Sequence, residues 1–491
     1  MTSQYAHTSI SNEDTVADVQ LILCSSQNYL STCAKLTRKL RMQENVLIRD
    51  FSGKEGESIT LYAKDRTYCL IGLGNEPTLS QLRMGIRRFV YQYRSKIATC
   101  SVDLKGFTHP FSRRIFEACQ TIAEGFRLGL YELGTYKTAD KKVSSLIECT
   151  ILVPKTQIEK AQLGVEKGEI LAAAQCYEME LIDSPANYLT PKIFAKSMRQ
   201  SAKKYGYKAE VFELKDIEKM GMGGLVAVGQ GSKHPATFTI LEHKPKHAVA
   251  KVAFIGKGVT FDTGGVSIKP ADNMMWMKCD MGGAAIVAAT VEAAARLELP
   301  IHVIGAVPST ENKLGDNAYL PSDVLTMYNG KTVEVEDTDA EGRLILADAL
   351  AYVAKNHKPD VLIDLATLTG SCVTALGYHA AGLFTSNDTL AKNLTDSGVK
   401  SENNVWRLPI WDVYSKQIQS DVADIRNLGG RAAGAITAAK FLEAFTDQHP
   451  SWAHLDVAGV VFGDDEFGKM RHASGWGVHL LIDFLMRLTG K

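Results

Sequence analysis

The sequence lacks the markers of several large function classes. It carries no net charge, with 55 Lys and Arg against 55 Asp and Glu, and its isoelectric point is near 7.2. Such balance argues against a general nucleic-acid or membrane-surface binder, although a local basic patch can hide in the total. It has no CxxC pair and no CxxH, and its nine cysteines, an odd number, are scattered singly from Cys24 to Cys372. That pattern excludes a disulfide scaffold and fits a reducing compartment. It has no HExxH and no GxSxG, so neither a zincin nor a nucleophile-elbow hydrolase is supported. Met1 to Asp18 is polar and acidic, with neither a basic start nor an apolar core, so no signal peptide is expected and the expected location is cytoplasmic. No uncharged apolar run reaches membrane-spanning length, the longest candidate, Ala284 to Val291, being broken by Glu292.

What is present is ordinary soluble material. The chain has 491 residues, 45% hydrophobic and 22% charged, enough for more than one domain and a large core. Strand and helix alternate through roughly the first 150 residues. Val16–Cys24, Ser58–Ala63, Tyr68–Leu73 and Ser144–Val153 read as strands, with a charged turn at Lys64-Asp65-Arg66. Asn28–Met42, Leu79–Ile97 and Phe111–Leu130 read as helices. This alternation predicts a mainly parallel, helix-covered sheet. Pro154 to Glu159 is the expected boundary, and a helix over Ala161 to Leu181 leads onward. The expected division is therefore 1–154, a linker at 155–165, and 166–491. Beyond Asp183, strands are expected at Glu210–Glu213, Ala236–Leu241, Val252–Ile255, Ile301–Val307, Thr332–Glu336 and Val361–Leu365. The alanine-rich helices Gly283–Leu297 and Arg343–Ala354 are apolar nearly all round, which predicts burial.

Several tempting patterns fail. Gly330-Lys331-Thr332 ends like a phosphate loop, but the glycine needed five positions earlier is Leu325. Gly72-Leu73-Gly74 and Gly221-Met222-Gly223-Gly224 miss the dinucleotide spacing and read as turns. His243 and His247 are separated by Pro245, so no helix points both rings at one metal.

The informative stretch is Glu334 to Arg343, where Glu334, Glu336, Asp337, Asp339 and Glu341 crowd a strand-to-helix connection. In open α/β sheets the carboxyl ends of strands are where ligands bind. Crowded carboxylates repel one another unless cations compensate. A solvated acidic loop capping the next helix is the plain alternative, and Arg343, charged within an apolar run, counts against it. A second stretch repeats the theme. The strand Val252–Ile255 runs into Gly256-Lys257-Gly258, then Asp262, Gly264-Gly265 and Lys269-Pro270, and Met277 to Gly283 opens a helix. Alone, Asp262 and Asp280 read as turn and cap residues, and Lys257 and Lys269 as surface lysines. Together with the downstream acids they point to oxygen-rich metal sites, and two divalent ions sharing carboxylates form a hydrolytic centre. The chemistry alone stops at a dinuclear metallohydrolase of open substrate.

These segments resemble the leucyl aminopeptidase family. Its signature Asn-Thr-Asp-Ala-Glu-Gly-Arg-Leu matches seven of eight positions of Asp337 to Leu344. Phe261 to Gly265, Lys269-Pro270, Asp280 to Ala285, Pro185-Ala186-Asn187, Leu189-Thr190-Pro191, Leu365 to Gly370, Ser420 to Asp424 and Gly429-Gly430-Arg431 follow it in order. The resemblance spans Asp183 to the C-terminus and is weak before it. It implies an α/β fold with two domains, a macro-like N-terminal domain and a larger catalytic domain with a helix-flanked mixed sheet. It implies that Asp262 and Glu341 bridge two divalent ions, zinc or manganese, with Lys257 and Asp280 completing the tighter site and Asp339 the looser one. A lysine ligand must be neutral. By the same resemblance Lys269 polarises the scissile carbonyl, Arg343 holds a bicarbonate as general base, and a metal-bridging water is the nucleophile. Met277, Thr367, Leu368 and Gly370 line the pocket for the first, leucine-like side chain, and the free α-amine binds beside Asp280. A homohexamer is implied too. The signature's first Asn is Asp337 here, an added acid beside the site. Two other readings stand against this one. One is a dimetal hydrolase for phosphates or non-peptide amides. The other is a DNA-binding role through Arg83, Arg87, Arg88, Arg94 and Lys96 or Arg113-Arg114, for which solvated helix faces are the stronger reading.

Overall fold

The computed structural model describes residues 6–490 apart from 65, 135, 139–144 and 147. Asp65 of the expected charged turn, Ser144 at the start of an expected strand, and the first residues of the acidic N-terminus lie outside the described residues. The chain divides into two compact units, Met1–Cys176 and Tyr177–Lys491. The 155–165 stretch holds a short 3-10 turn and the start of the helix Ile158–Asp183.

The first unit is built on strands β1 (His7–Ser11), β2 (Val19–Cys24), β3 (Ser58–Tyr62), β4 (Thr67–Gly72), β5 (Thr99–Asp103) and β6 (Glu148–Leu152). They lie in the order β1-β6-β5-β2-β4-β3, and every pair is parallel except β3 with β4. The central strand Val19–Cys24 is buried throughout, the uninterrupted apolar run that a strand covered on both faces requires. The helix Leu79–Tyr93 starts at a Thr78–Gln81 capping box and packs its apolar stripe on the helix Ile115–Gly129. Much of the basic cluster is engaged within this unit. Arg83 pairs with Glu124 at 3.0 Å, Arg94 donates to the Gly129 and Tyr131 carbonyls, and Arg114 lies 3.7 Å from Glu117.

The second unit carries a nine-stranded mixed sheet. Its strands are β7 (Lys208–Glu213), β8 (Thr237–His243), β9 (Lys251–Gly256), β10 (Gly258–Asp262) and β11 (His302–Asn312). After the short β12 (Val324–Thr326) and β13 (Thr332–Glu334) come β14 (Val361–Ala366), β15 (Ala381–Phe384) and β16 (Val405–Arg407). Next are β17 (Ile425–Arg426) and β18 (Trp452–Asp456). The order is β16-β15-β18-β14-β9-β11-β8-β7, with β10 beside β11. β9, β11, β14 and β18 run parallel, while β7, β8 and β15 supply antiparallel pairs. His243 is in β8, where its ring nitrogen faces the Leu299 carbonyl at 2.9 Å.

Two helices pack on the central strands, Gly282–Arg296 and Glu341–His357. In the first, every residue but Arg296 is buried, as its all-round apolar sequence predicts. Both begin at the same place, beside the ends of β9 and β14. One expectation needs correcting. The strand leading to the acidic stretch, β13, is not part of the main sheet. It pairs with β12 and β17 in a separate three-stranded sheet.

Candidate active site

The register of the main sheet sets the centre of the site. Leu365 stands opposite Gly256, so Lys257 leaves β9 level with the end of β14. The Lys257 amide donates to the Leu365 carbonyl at 3.0 Å, and the Lys257 carbonyl accepts from the Ala284 amide at 3.0 Å. That second bond clips the start of the helix Gly282–Arg296 to the strand and brings Asp280 to Lys257. The approach depends on glycine, because a Cβ at Gly283 would sit 2.1 Å from the Leu365 carbonyl oxygen. Asp262 ends β10, where its Oδ1 accepts from the Gly264 amide and from Asn312 Nδ2, each at 2.8 Å. The loop after it folds back, with the Lys269 amide donating to the Thr263 carbonyl at 2.9 Å.

Glu341 is the first residue of its helix. Asp339 precedes it in a turn closed by its own amide, which donates to Asp337 Oδ1 at 2.8 Å. An asparagine side-chain oxygen can accept that bond equally well. The departure at position 337 therefore keeps the turn and adds one negative charge.

Ligand atoms of Asp262, Asp280 and Glu341, all buried, lie within 4.8 Å of one another. Lys257 Nζ lies 2.8 Å from Asp280 Oδ2 and 2.9 Å from Glu341 Oε1. Lys269 Nζ lies 2.8 Å from Asp262 Oδ2 and also pairs with Asp339. The two ammonium groups thus sit among four carboxylates. Burial drives Lys257 toward neutrality, but Asp280, Glu341 and Asp262 outweigh it and its pKa is raised; Lys269 behaves likewise. Burial and the neighbouring acids push Asp280 well above the ordinary carboxylate range and raise Glu341, and Asp339 is pushed up to about 7. Two ammonium groups therefore only partly relieve four crowded acids.

The donor set fits divalent cations. Glu341 Oε2 is buried with no partner, and Asp280 Oδ2, Asp339 Oδ1 and Glu341 Oε1 are buried with only a lysine ammonium beside each. Four acids matched by two ammonium groups leave negative charge that divalent cations, which favour carboxylate oxygens, can neutralise.

Arg343 is buried, in the first turn of the helix. Its Nη1 donates to the Asn427 carbonyl at 2.8 Å, its Nε has no partner, and burial lowers its pKa despite the surrounding acids. Thr367, Leu368 and Gly370 form the turn after β14. The Thr367 carbonyl accepts from Lys257 Nζ at 3.0 Å, and its hydroxyl donates to Asp280 Oδ1 at 2.7 Å. Met277 is half-buried in the 3-10 turn Met274–Cys279, and its carbonyl accepts from the Asp280 amide.

Sequence reasoning missed the residues that hold this geometry. Asn312 donates both to Asp262 and to the Thr338 carbonyl, the latter at 2.9 Å. The Asn427 side chain accepts from the Glu336 amide at 2.8 Å and donates to the Asp337 carbonyl at 2.7 Å. The signal for Asn312 was a run of polar residues, Ser309 to Asn312, continuing an apolar strand and buried throughout.

The chain is similar to known proteins along nearly its whole length. The model of the catalytic domain of the cytosol aminopeptidase family matches residues 177–482, and that of the family's N-terminal domain matches 34–140. A probable cytosol aminopeptidase of Chloroherpeton thalassium is 45% identical over 89% of this chain and 90% of its own. A second, from Chlorobium phaeobacteroides, is 43% identical over 90% and 91%. A tomato leucine aminopeptidase mutant superposes with a TM-score of 0.88 at 31% identity, covering 98% of this chain and 96% of that one. The bottromycin maturation enzyme BotP in complex with Mn gives 0.84 at 32% identity, covering 96% and 100%. The chain, an enzyme with a two-domain α/β fold, belongs to the cytosol aminopeptidase family.

Proposed function

We propose that Lys257, Asp262, Asp280, Asp339 and Glu341 hold two divalent metal ions, zinc or manganese, and that this centre cuts the first residue from peptides with a free N-terminus. The observation that carries this reading is the convergence of three buried acids, Asp262, Asp280 and Glu341, with Glu341 Oε2 lacking any partner. The manganese complex of the related BotP supports divalent metal here. Asp262 and Glu341 would serve both ions, Lys257 and Asp280 one of them, and Asp339 the other. When bound, the ions supply Lewis acidity for the peptide carbonyl and lower the pKa of a water.

The chain does the rest. Lys257 would have to give up its proton to hold an ion, and Thr367 would keep its orientation through the carbonyl that Lys257 Nζ already faces. Lys269, held between Asp262 and Asp339, is a preorganised cation for the charge that develops on the scissile carbonyl oxygen. Arg343, with its buried unpartnered Nε, would hold a bicarbonate, which would supply a general base. The substrate's α-amine is held beside Asp280, so an internal peptide, lacking that amine, is refused. Met277, Thr367, Leu368 and Gly370 line the pocket for the first side chain, preferably an apolar leucine-like one. The 155–165 segment links an N-terminal part, 1–154, to the catalytic part, 166–491. The working form is a cytoplasmic homohexamer, supported by family resemblance. No helix among the described residues is long and apolar enough to cross a membrane.

The test is hydrolysis of leucine p-nitroanilide and its N-acetyl analogue by protein stripped of metal, then reloaded with Zn²⁺ or Mn²⁺, beside Asp339→Ala. Restored cleavage of the free-amine substrate alone, lost in the variant, is the expected result. Equal cleavage of both substrates would overturn the amine-anchoring mechanism.

A further inference from the structure

Behind the turn at Thr367–Gly370 lies a carboxylate that the chemistry above does not use. Asp456 ends β18, in register with Ala366 of β14, and is 1% exposed. Its Oδ1 accepts from the Leu368 amide at 3.3 Å and the Ala458 amide at 3.2 Å. Its Oδ2 accepts from the Thr369 hydroxyl at 2.7 Å. That hydroxyl in turn caps the helix Gly370–Leu376 by accepting from the Cys372 amide at 3.0 Å. Among the described residues no lysine or arginine forms an ion pair with Asp456. A buried acid without a direct ion-pair partner is costly, and here two amides and a hydroxyl, all from the turns beside it, offset that cost.

The geometry on the other side of the turn gives the reason. One residue before Leu368, Thr367 touches two ligands of the same proposed ion, Lys257 through its carbonyl and Asp280 through its hydroxyl. The turn is therefore held from both sides. We propose that Asp456 is a positioning residue for the metal site formed by Lys257 and Asp280. By fixing the Leu368 amide and the Thr369 hydroxyl, it holds Thr367 in the register that aims the Lys257 nitrogen and one Asp280 oxygen at the ion. This rests on the reading of the site as a dimetal aminopeptidase. Loss of a group that orients metal ligands typically costs about 10–100-fold in affinity or activity.

The experiment compares Asp456→Ala, Asp456→Asn and Thr369→Val with the unaltered protein. It reads Mn²⁺ affinity by calorimetric titration, KM and kcat on leucine p-nitroanilide, and the unfolding midpoint in chelator. Asparagine keeps an acceptor for both amides, and its Nδ2 can donate to the Thr369 oxygen, so it is the conservative rescue. Expected are Mn²⁺ binding weakened about tenfold at one of two sites in Asp456→Ala and Thr369→Val, with KM raised, and recovery to within about threefold in Asp456→Asn. A purely structural role predicts a lowered midpoint with unchanged metal affinity and KM, and that result overturns the proposal. Should Asp456→Ala fail to fold, Thr369→Val decides alone, native affinity there being the refutation. A parent protein that binds Mn²⁺ yet leaves the free-amine substrate intact overturns the aminopeptidase reading, and the metal comparison still decides Asp456.

Discussion

Replacing Glu341 by glutamine is expected to make the metal-free protein more stable and the metal-loaded protein less so. Glu341 is 1% exposed, 2.9 Å from Lys257, and shares the cage with Asp262 and Asp280 within 4.8 Å. At an effective dielectric near 20, the lysine's attraction at 2.9 Å is about 6 kcal/mol. Each acid within 4.8 Å repels by at least about 3.5 kcal/mol, about 7 kcal/mol for the two. Lys269 adds attraction and Asp339 adds repulsion at longer range, so the two sides are of similar size and the cost of burying the charge decides the sign. The upward shift of the Glu341 pKa, caused first by burial and then by Asp262, has the same sign. Lys257 keeps Asp280 at 2.8 Å, so the variant strands no cation. We expect a gain of about 1–2 kcal/mol in chelator, a rise of roughly 2–4 °C in the unfolding midpoint. With metal at 100 times its dissociation constant the parent gains about 2.7 kcal/mol per site, and the variant, short of a shared ligand, gains little. The order of the two midpoints therefore reverses between chelator and metal. Calorimetric scans of both proteins in EDTA and in Mn²⁺ test this. A variant that melts lower in EDTA would refute the reasoning and show that the ion pair outweighs crowding and burial.

Three further outcomes follow from the same geometry. Lys269→Met should lower kcat by about 10²–10³-fold with KM little changed, read by steady-state kinetics, since it removes a charge that matters most as the carbonyl oxygen turns negative. Asp339, held near 7 against an ordinary 3.8, stabilises the metal-free fold most below pH 3.8 and loses that contribution as pH rises through about 7. Denaturation midpoints in chelator should therefore fall over that window, and Asp339→Asn should flatten the fall. Gly342→Ala would put a Cβ 2.5 Å from Lys257 Cε and 2.6 Å from its Nζ. It should displace that flexible end and weaken Mn²⁺ binding about tenfold by titration, with little loss of the chelator midpoint, alanine being the better helix former.

The parts of the fold that read plainly from the sequence are those where one local pattern decides. Apolar runs such as Val19–Cys24 and Lys251–Gly256 form strands close to where they were expected, and the two alanine-rich helices are buried as expected. The short polar strand His7–Ser11 went unseen because it is fixed by pairing with Glu148–Leu152, far away in sequence. β11 runs on to Asn312, five residues past its expected end, because its polar tail pairs with β10. The acids and lysines of the candidate site were legible because each group lies within a few positions of a glycine-rich turn. Asn312, Asn427 and Asp456 were not, since the partners that tie each to the site, Asp262, Glu336 and Leu368, are 50 or more positions distant.

The two lysines inside the acidic cage have a consequence for the life of the protein. In a zinc finger the ligands cannot gather until the ion arrives, so synthesis and metallation are one event. Here Lys257 and Lys269 are counter-ions built into the polypeptide, so the acids have partners before any ion arrives. Folding and metallation are then separable events, and protein stripped of metal should stay folded and regain activity on adding Mn²⁺ without refolding.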